Sequence, residues 1–198
     1  MCQLIESIKL VDGIFFRLPL HQARVNMAFN DLFPTFRAIN LTELLSKQEV
    51  PTKGNYKCRI VFDHTPQLIE FVPYTMREIK SLQLVETQIE PKHYKLENRD
   101  TLNHAFAMRG NCDDIIMLNN GLLSDAWYSN IALWDGINWC TPTLPIIYGT
   151  QRAALLQSAK IIEKDISKED LCIYSRIRLF NAMIEFGEIE LDINSLNY

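Results

Sequence analysis

The sequence predicts a mixed α/β (α+β) chain of two domains, a small N-terminal α+β domain over 1–88 and a C-terminal α/β domain over 89–198. Three observations predict it. Short β-type runs are punctuated by Asp12-Gly13, Asn120-Gly121 and Asp135-Gly136, pairs that suit tight hairpin turns. Between them lie stretches whose apolar residues recur at helical spacing. The composition, 47% hydrophobic and 22% charged over 198 residues, suits a sizeable core and one large or two small domains.

Taken in order, residues 8–18 (IKLVDGIFFRL) read as a hairpin turning at Asp12-Gly13. Residues 20–33 carry Leu20, Ala23, Val25, Met27, Ala28 and Phe29 at helical spacing and stop near Pro34. A short helix follows over 40–46, then strands over 58–62, 67–73 and 79–87. The next helix spans 100–108 and is closed by Gly110. A strand over 114–118 leads through Asn119-Asn120-Gly121 into the stretch 122–152, around which the rest is organised. That stretch reads strand, polar turn, strand, Asp-Gly hairpin, strand, loop, and a helix opening at Gly149-Thr150 and running over 151–164.

Several function classes are excluded on composition. A formal net charge of -4, with no Lys/Arg block, gives no electrostatic footprint for nucleic acid. Five cysteines (Cys2, Cys58, Cys112, Cys140, Cys172), odd in number and without a C-x-x-C, read as reduced thiols in a cytoplasmic protein, with neither a disulfide framework nor a zinc or other metal site. No apolar run approaches a membrane span and no basic-then-apolar leader opens the chain. With 7 glycines and no G-x-G-x-x-G or G-x-x-x-x-G-K, Rossmann and Walker-type nucleotide sites are set aside.

Within 122–152 an acid, Asp125, lies a hairpin away from a helix start whose free N–H groups suit an anion. Asp125, Asn130-Ile131, Asp135-Gly136, Thr141-Pro142 and Gly149-Thr150-Gln151-Arg152 together resemble the signature of the class IV pyridoxal-phosphate (PLP) enzymes, also called fold type IV. That family includes branched-chain and D-amino-acid aminotransferases and 4-amino-4-deoxychorismate lyase, and the chain looks most like the lyase. The resemblance implies a D-amino-acid aminotransferase-like architecture with a C-terminal pseudo-barrel, pyridoxal 5′-phosphate as cofactor, a small-molecule amino substrate, and a homodimer.

The same resemblance assigns residues. Lys95 opens K-x-x-N-R with Asn98 and Arg99, as the family's Schiff-base lysine does; Lys92 competes for the role. Lys95 lies 30 residues before Asp125 and Lys92 lies 33, which is nearer the family's interval, but only Lys95 has Asn-Arg at the right offset. Arg24, in His21-x-x-Arg24, would hold the cofactor phosphate; taken alone it reads as a solvated helix charge. Thr150 and Gln151 would offer N–H groups to the same phosphate. Asn130 and Asn181 complete the cofactor set, and Ala182, beside Asn181, would meet the substrate.

The chemistry fits those residue types. A Schiff-base lysine must be able to be neutral, which burial and neighbouring positive charge favour. The displaced amine can then move the proton at the carbon bonded to substrate nitrogen. A carboxylate at the ring nitrogen keeps it protonated, the role read for Asp125; the family usually carries Glu there, one methylene longer. Lyase chemistry, releasing pyruvate and giving 4-aminobenzoate for folate synthesis, is the first expectation. A class IV aminotransferase acting on a small L- or D-amino acid is the second. A non-catalytic relative is the third, because the strand and loop that usually precede the family's Glu-x-Ile have no counterpart before Glu6-Ser7-Ile8.

Overall fold

The computed structural model describes residues 3–198. In chain order its elements are β1 (Leu4–Val11), β2 (Ile14–Phe15), α1 (Leu18–Leu32), α2 (Leu41–Ser46), β3 (Asn55–Phe62), β4 (Pro66–Pro73), β5 (Leu82–Thr87), α3 (Asp100–Ala107), β6 (Asp114–Asn119), β7 (Leu122–Ala126), β8 (Asn130–Trp134), β9 (Trp139–Pro142), α4 (Thr150–Gln157), β10 (Ile162–Lys164), β11 (Arg176–Phe180), β12 (Ile189–Asp192) and β13 (Leu196–Asn197). This is the mixed α/β architecture expected from the sequence.

Contacts divide the chain into two compact units. One runs through Met76 and takes back His93–Asn98; the other holds Arg77–Lys92 and Arg99–Tyr198. The strand β5 falls in the second of these units. The reason is pairing: β5 runs parallel to β6 over six residue pairs, from Leu82↔Asp114 to Thr87↔Asn119.

In the first unit the strand order is β2-β1-β3-β4. Period-two alternation places Leu4, Glu6, Ile8 and Leu10 of β1 on one face, and all four are buried. The helix α1 begins with Pro19 in its first turn, where a missing N–H costs nothing. Its 3.6-residue period puts His21, Arg24, Val25 and Ala28 on one stripe, again all buried. Leu4, Ile8, Val25, Ala28, Phe29, Cys58, Ile60 and Phe62 share one core. Each fully buried aliphatic or aromatic side chain there contributes roughly 1.5–3 kcal/mol before entropy is charged. A glutamate, a histidine and an arginine are therefore folded into an apolar layer.

The second unit holds two sheets, β13-β5-β6-β7 and β10-β9-β8-β11-β12. The turns are those the sequence announces: Asn120 and Gly121 adopt φ 52° and 81°, and Asp12 and Gly13 in the first unit adopt 48° and 82°, as a two-residue I′ hairpin requires. Asp135 closes its own hairpin by accepting the Ile137 and Asn138 N–H groups at 2.9 and 2.7 Å.

One element differs from expectation. The helix read over 151–164 ends at Gln157, and Ile162–Lys164 instead pairs parallel to Cys140–Pro142. Ala159 enters the left-handed region at φ 52°, while Lys160 N–H donates to Leu155 O at 2.9 Å and Ala159 N–H to Leu156 O at 3.0 Å. This is the two-bond Schellman end built on alanine rather than glycine, so no residue type signals it. Cys58, Cys112, Cys140 and Cys172 are free thiols; Cys2 lies outside the described residues. Among those residues no helix is long and apolar enough to cross a membrane.

Candidate active site

In the second unit, Asp125 is the last residue but one of β7 and is 4% exposed. Its Oδ1 accepts Asn130 Nδ2 at 2.8 Å and its Oδ2 accepts the Ile147 N–H at 2.9 Å. Asn130 also donates to Ile147 O at 2.8 Å, so the first residue of β8 ties the acid to the segment entering α4. Burial pushes the Asp125 carboxyl up to about 7, against the Ile147 and Asn130 hydrogen bonds and the Arg152 charge. A fully buried acid whose direct partners are neutral is a group that gains from a cationic neighbour.

Gly149 precedes α4 as its N-cap residue. A Cβ at 149 would stand 2.0 Å from Asn130 Oδ1, so glycine is required by the approach of the very amide that orients Asp125. Gly149→Ala is expected to destabilise the protein by roughly 1–3 kcal/mol, read from the midpoint of chemical unfolding. Combining it with Asn130→Ala should cost less than the sum of the two single changes, since both act on one contact.

The first N–H groups of α4 lack intrahelical acceptors and face the positive end of the helix dipole. Thr150 and Gln151 are both 3% exposed. Gln151 donates Nε2 to Glu185 at 3.2 Å, while its Oε1, like Ser129 Oγ, is buried with no hydrogen-bond partner among the described residues. Arg152 is a tie within the unit: its Nη2 donates to Pro142 O at 2.8 Å and to Glu163 at 2.7 Å. Asn181 accepts the Met183 and Ile184 N–H groups at 2.7 and 3.0 Å and donates to Tyr128 O at 3.1 Å. Its amide thereby holds the turn carrying half-buried Ala182 against the loop that follows Asp125.

In the first unit, Arg24 Nε and Nη2 donate to Glu6 Oε1 and Oε2 at 2.8 and 2.6 Å, and His21 Nδ1 lies 2.5 Å from the same Oε2. Burial raises the Glu6 carboxyl, but the Arg24 charge and the His21 bond outweigh it and hold it at about 2. Burial pushes His21 down against the pull of Glu6. Two of Arg24's five N–H donors are spent on Glu6. The described residues give Nη1 no hydrogen-bond partner, and that side of the guanidinium is what remains for a ligand. Glu6 and His21 were not singled out as functional from the sequence. Their signal was present as a lone acid inside an alternating apolar strand, facing a helix stripe that carries a cation.

Lys95 and Lys92 are distinguished by their settings. Residues 93–98 run beside β1: Lys95 O accepts the Ile5 N–H at 2.9 Å, Leu96 bridges Leu4, and Glu97 N–H donates to Gln3 O at 2.9 Å. The half-buried Lys95 is thus held next to the strand that carries Glu6. Lys92 belongs to the second unit, where its N–H donates to Ile146 O at 2.8 Å and its ammonium lies 3.9 Å from exposed Glu90.

The fold and these residues define a class of protein. Residues 3–190 match the model of the class IV amino-transferases, and the chain belongs to that family. It is therefore an enzyme of the lyase or transaminase type. A protein of Haemophilus influenzae described as uncharacterized is 30% identical over 186 residues, covering 92% of this chain and 98% of that one. The structure of a "putative 4-amino-4-deoxychorismate lyase" from Haemophilus somnus superposes with a TM-score of 0.86 at 28% identity, over 93% of this chain and 97% of that one. A hypothetical aminotransferase of Mycobacterium tuberculosis in its PLP-bound form shares the fold, with a TM-score of 0.77 at 16% identity over 99% of this chain and 81% of that one.

Proposed function

We propose that the chain is a pyridoxal 5′-phosphate enzyme that acts on 4-amino-4-deoxychorismate, releasing pyruvate and 4-aminobenzoate. The observation that carries the choice of lyase is the likeness to the Haemophilus somnus protein along nearly all of both chains. The residues present fit the cofactor. Asp125 has spare lone pairs and a carboxyl pushed up to about 7 by burial, and a protonated ring nitrogen would favour its charged form. The start of α4 behind Gly149 and the Arg24 donors not spent on Glu6 suit a phosphate.

Lys95 would bond the cofactor, Asp125 and Asn130 would hold the ring nitrogen, and Arg24, Thr150, Gln151 and Asn181 the phosphate end, with Ala182 beside the substrate. The cofactor supplies an electron sink for charge developing at the substrate carbon. Asp125 would keep the ring nitrogen protonated, and Asn130, donating to Oδ1, would hold the carboxylate in place. Lys95 Nζ would be the base that takes the proton from the carbon bonded to substrate nitrogen. The same reading makes the protein a cytoplasmic homodimer serving folate synthesis.

The test is to give the holoenzyme 4-amino-4-deoxychorismate and follow pyruvate and 4-aminobenzoate together. Equimolar release of both is expected. Amino-group exchange between amino acids and keto acids, with no pyruvate released, would make the protein a transaminase instead.

A further inference from the structure

Trp127 follows Asp125 by two residues, in the loop between β7 and β8, and is held by five different residues. Its backbone N–H donates to Asp114 Oδ1 at 3.3 Å, and its carbonyl accepts Arg99 Nη2 at 2.6 Å. Its indole N–H donates to Asn103 Oδ1 at 3.1 Å. The ring stacks on Phe106 with centroids 4.0 Å apart and planes 16° from parallel. Two cations flank it, with the Arg99 and Arg77 guanidinium carbons 5.5 and 5.8 Å from its centroid.

The partners are themselves fixed. Asp114 is fully buried and pairs with Arg77 at 3.0 Å. Asn103 and Phe106 lie on α3, and Arg99 immediately precedes that helix. A loop of three residues, 127–129, has thus been tied to α3, to the first residue of β6 and to Arg77. An indole spending its N–H, its ring face and both backbone groups on neighbours is far more contact than a three-residue connection between two sheets needs. The loop starts beside one residue that orients a ligand, Asp125, and ends at another, Asn130.

We propose that Trp127 is a positioning residue, a latch that holds the 125–130 loop so that Asp125 stays buried and correctly turned. This rests on the reading of Asp125 as the ring-nitrogen partner. The latch acts through Asp125 rather than on the substrate, so it governs the rate of the chemical step more than the binding of either ligand. Arg99 gains a purpose as well: the last residue of K-x-x-N-R anchors the carbonyl of Trp127.

The experiment compares wild type, Trp127→Ala and Asp125→Ala by kcat, by KM, by cofactor titration, and by the thermal stability of the ligand-free protein between pH 4 and pH 8. Trp127→Ala is expected to lower kcat about 10- to 100-fold with KM and cofactor affinity within about threefold. Because opening the loop lets water reach Asp125, it should also flatten the stability change across that pH range, which a merely structural residue would not do. Trp127→Phe keeps the stack on Phe106 and loses only the Asn103 bond; it should fold and show a several-fold fall in kcat in the same direction. Wild-type kcat and pH dependence in Trp127→Ala overturn the latch, and so do wild-type values in Trp127→Phe if the alanine variant does not fold. If Asp125→Ala itself turns over normally, it is the reading of Asp125 that fails.

Discussion

Lys95→Ala abolishes turnover while leaving the protein folded. The loss is expected on the order of 10⁴-fold or more, the scale on which a covalent catalytic group is missed. The backbone carbonyl of Lys95 is bonded to the Ile5 N–H at 2.9 Å, and alanine keeps that bond. Turnover at saturating cofactor, beside a thermal melt of the apoprotein, checks both halves. Lys92→Ala removes a half-exposed ammonium paired loosely with Glu90, and its turnover should stay within a few-fold of wild type.

Asp125→Ala is expected to cost about two to four powers of ten in rate with little loss of cofactor, since the phosphate contacts and Lys95 still hold it. Asp125→Glu should be far milder. The same residue predicts a pH effect on the ligand-free protein. Its folded carboxyl is raised from 3.8 to about 7, so below pH 4 it is protonated in both states and costs nothing. As pH rises from there through about 7, the unfolded chain gives up the proton and the folded one resists. Stability should fall over that window by about 4 kcal/mol, on the order set by the shift. Asp125→Asn should remove that slope, and saturating cofactor should reduce it. Glu6 acts with the opposite sign: its carboxyl is held at about 2, so the stability it gives is present above its ordinary range and lost as pH falls towards 2. Denaturant midpoints across pH, in wild type and Asp125→Asn, separate the two.

Much of this molecule is legible in its sequence, for reasons that can be named. Asp-Gly and Asn-Gly turns are legible because few other residues accept positive φ at both positions, and Asp12-Gly13 and Asn120-Gly121 adopt it. Gly149 is legible as a helix start, although the physical cause, Asn130 Oδ1 at the place of a Cβ, is a contact across 19 residues of chain that no local pattern encodes. The end of α4 is hidden because an alanine takes the left-handed cap. The buried Glu6, His21 and Arg24 are half hidden: each sits at a core position by periodicity, but their pairing joins residues 15 and 18 apart. The grip on Trp127 is invisible in sequence, since it gathers Arg77, Arg99, Asn103 and Asp114 from three separate stretches of chain.

The central claim, that a cofactor is carried on Lys95, is tested most directly by trapping it. The protein is loaded with pyridoxal 5′-phosphate, reduced with borohydride and digested, and the pyridoxyl-bearing peptide is sequenced by mass spectrometry. The account predicts one stoichiometric adduct, on Lys95 in the peptide KLENR. An adduct on Lys92, or no adduct with cofactor in excess, would contradict it.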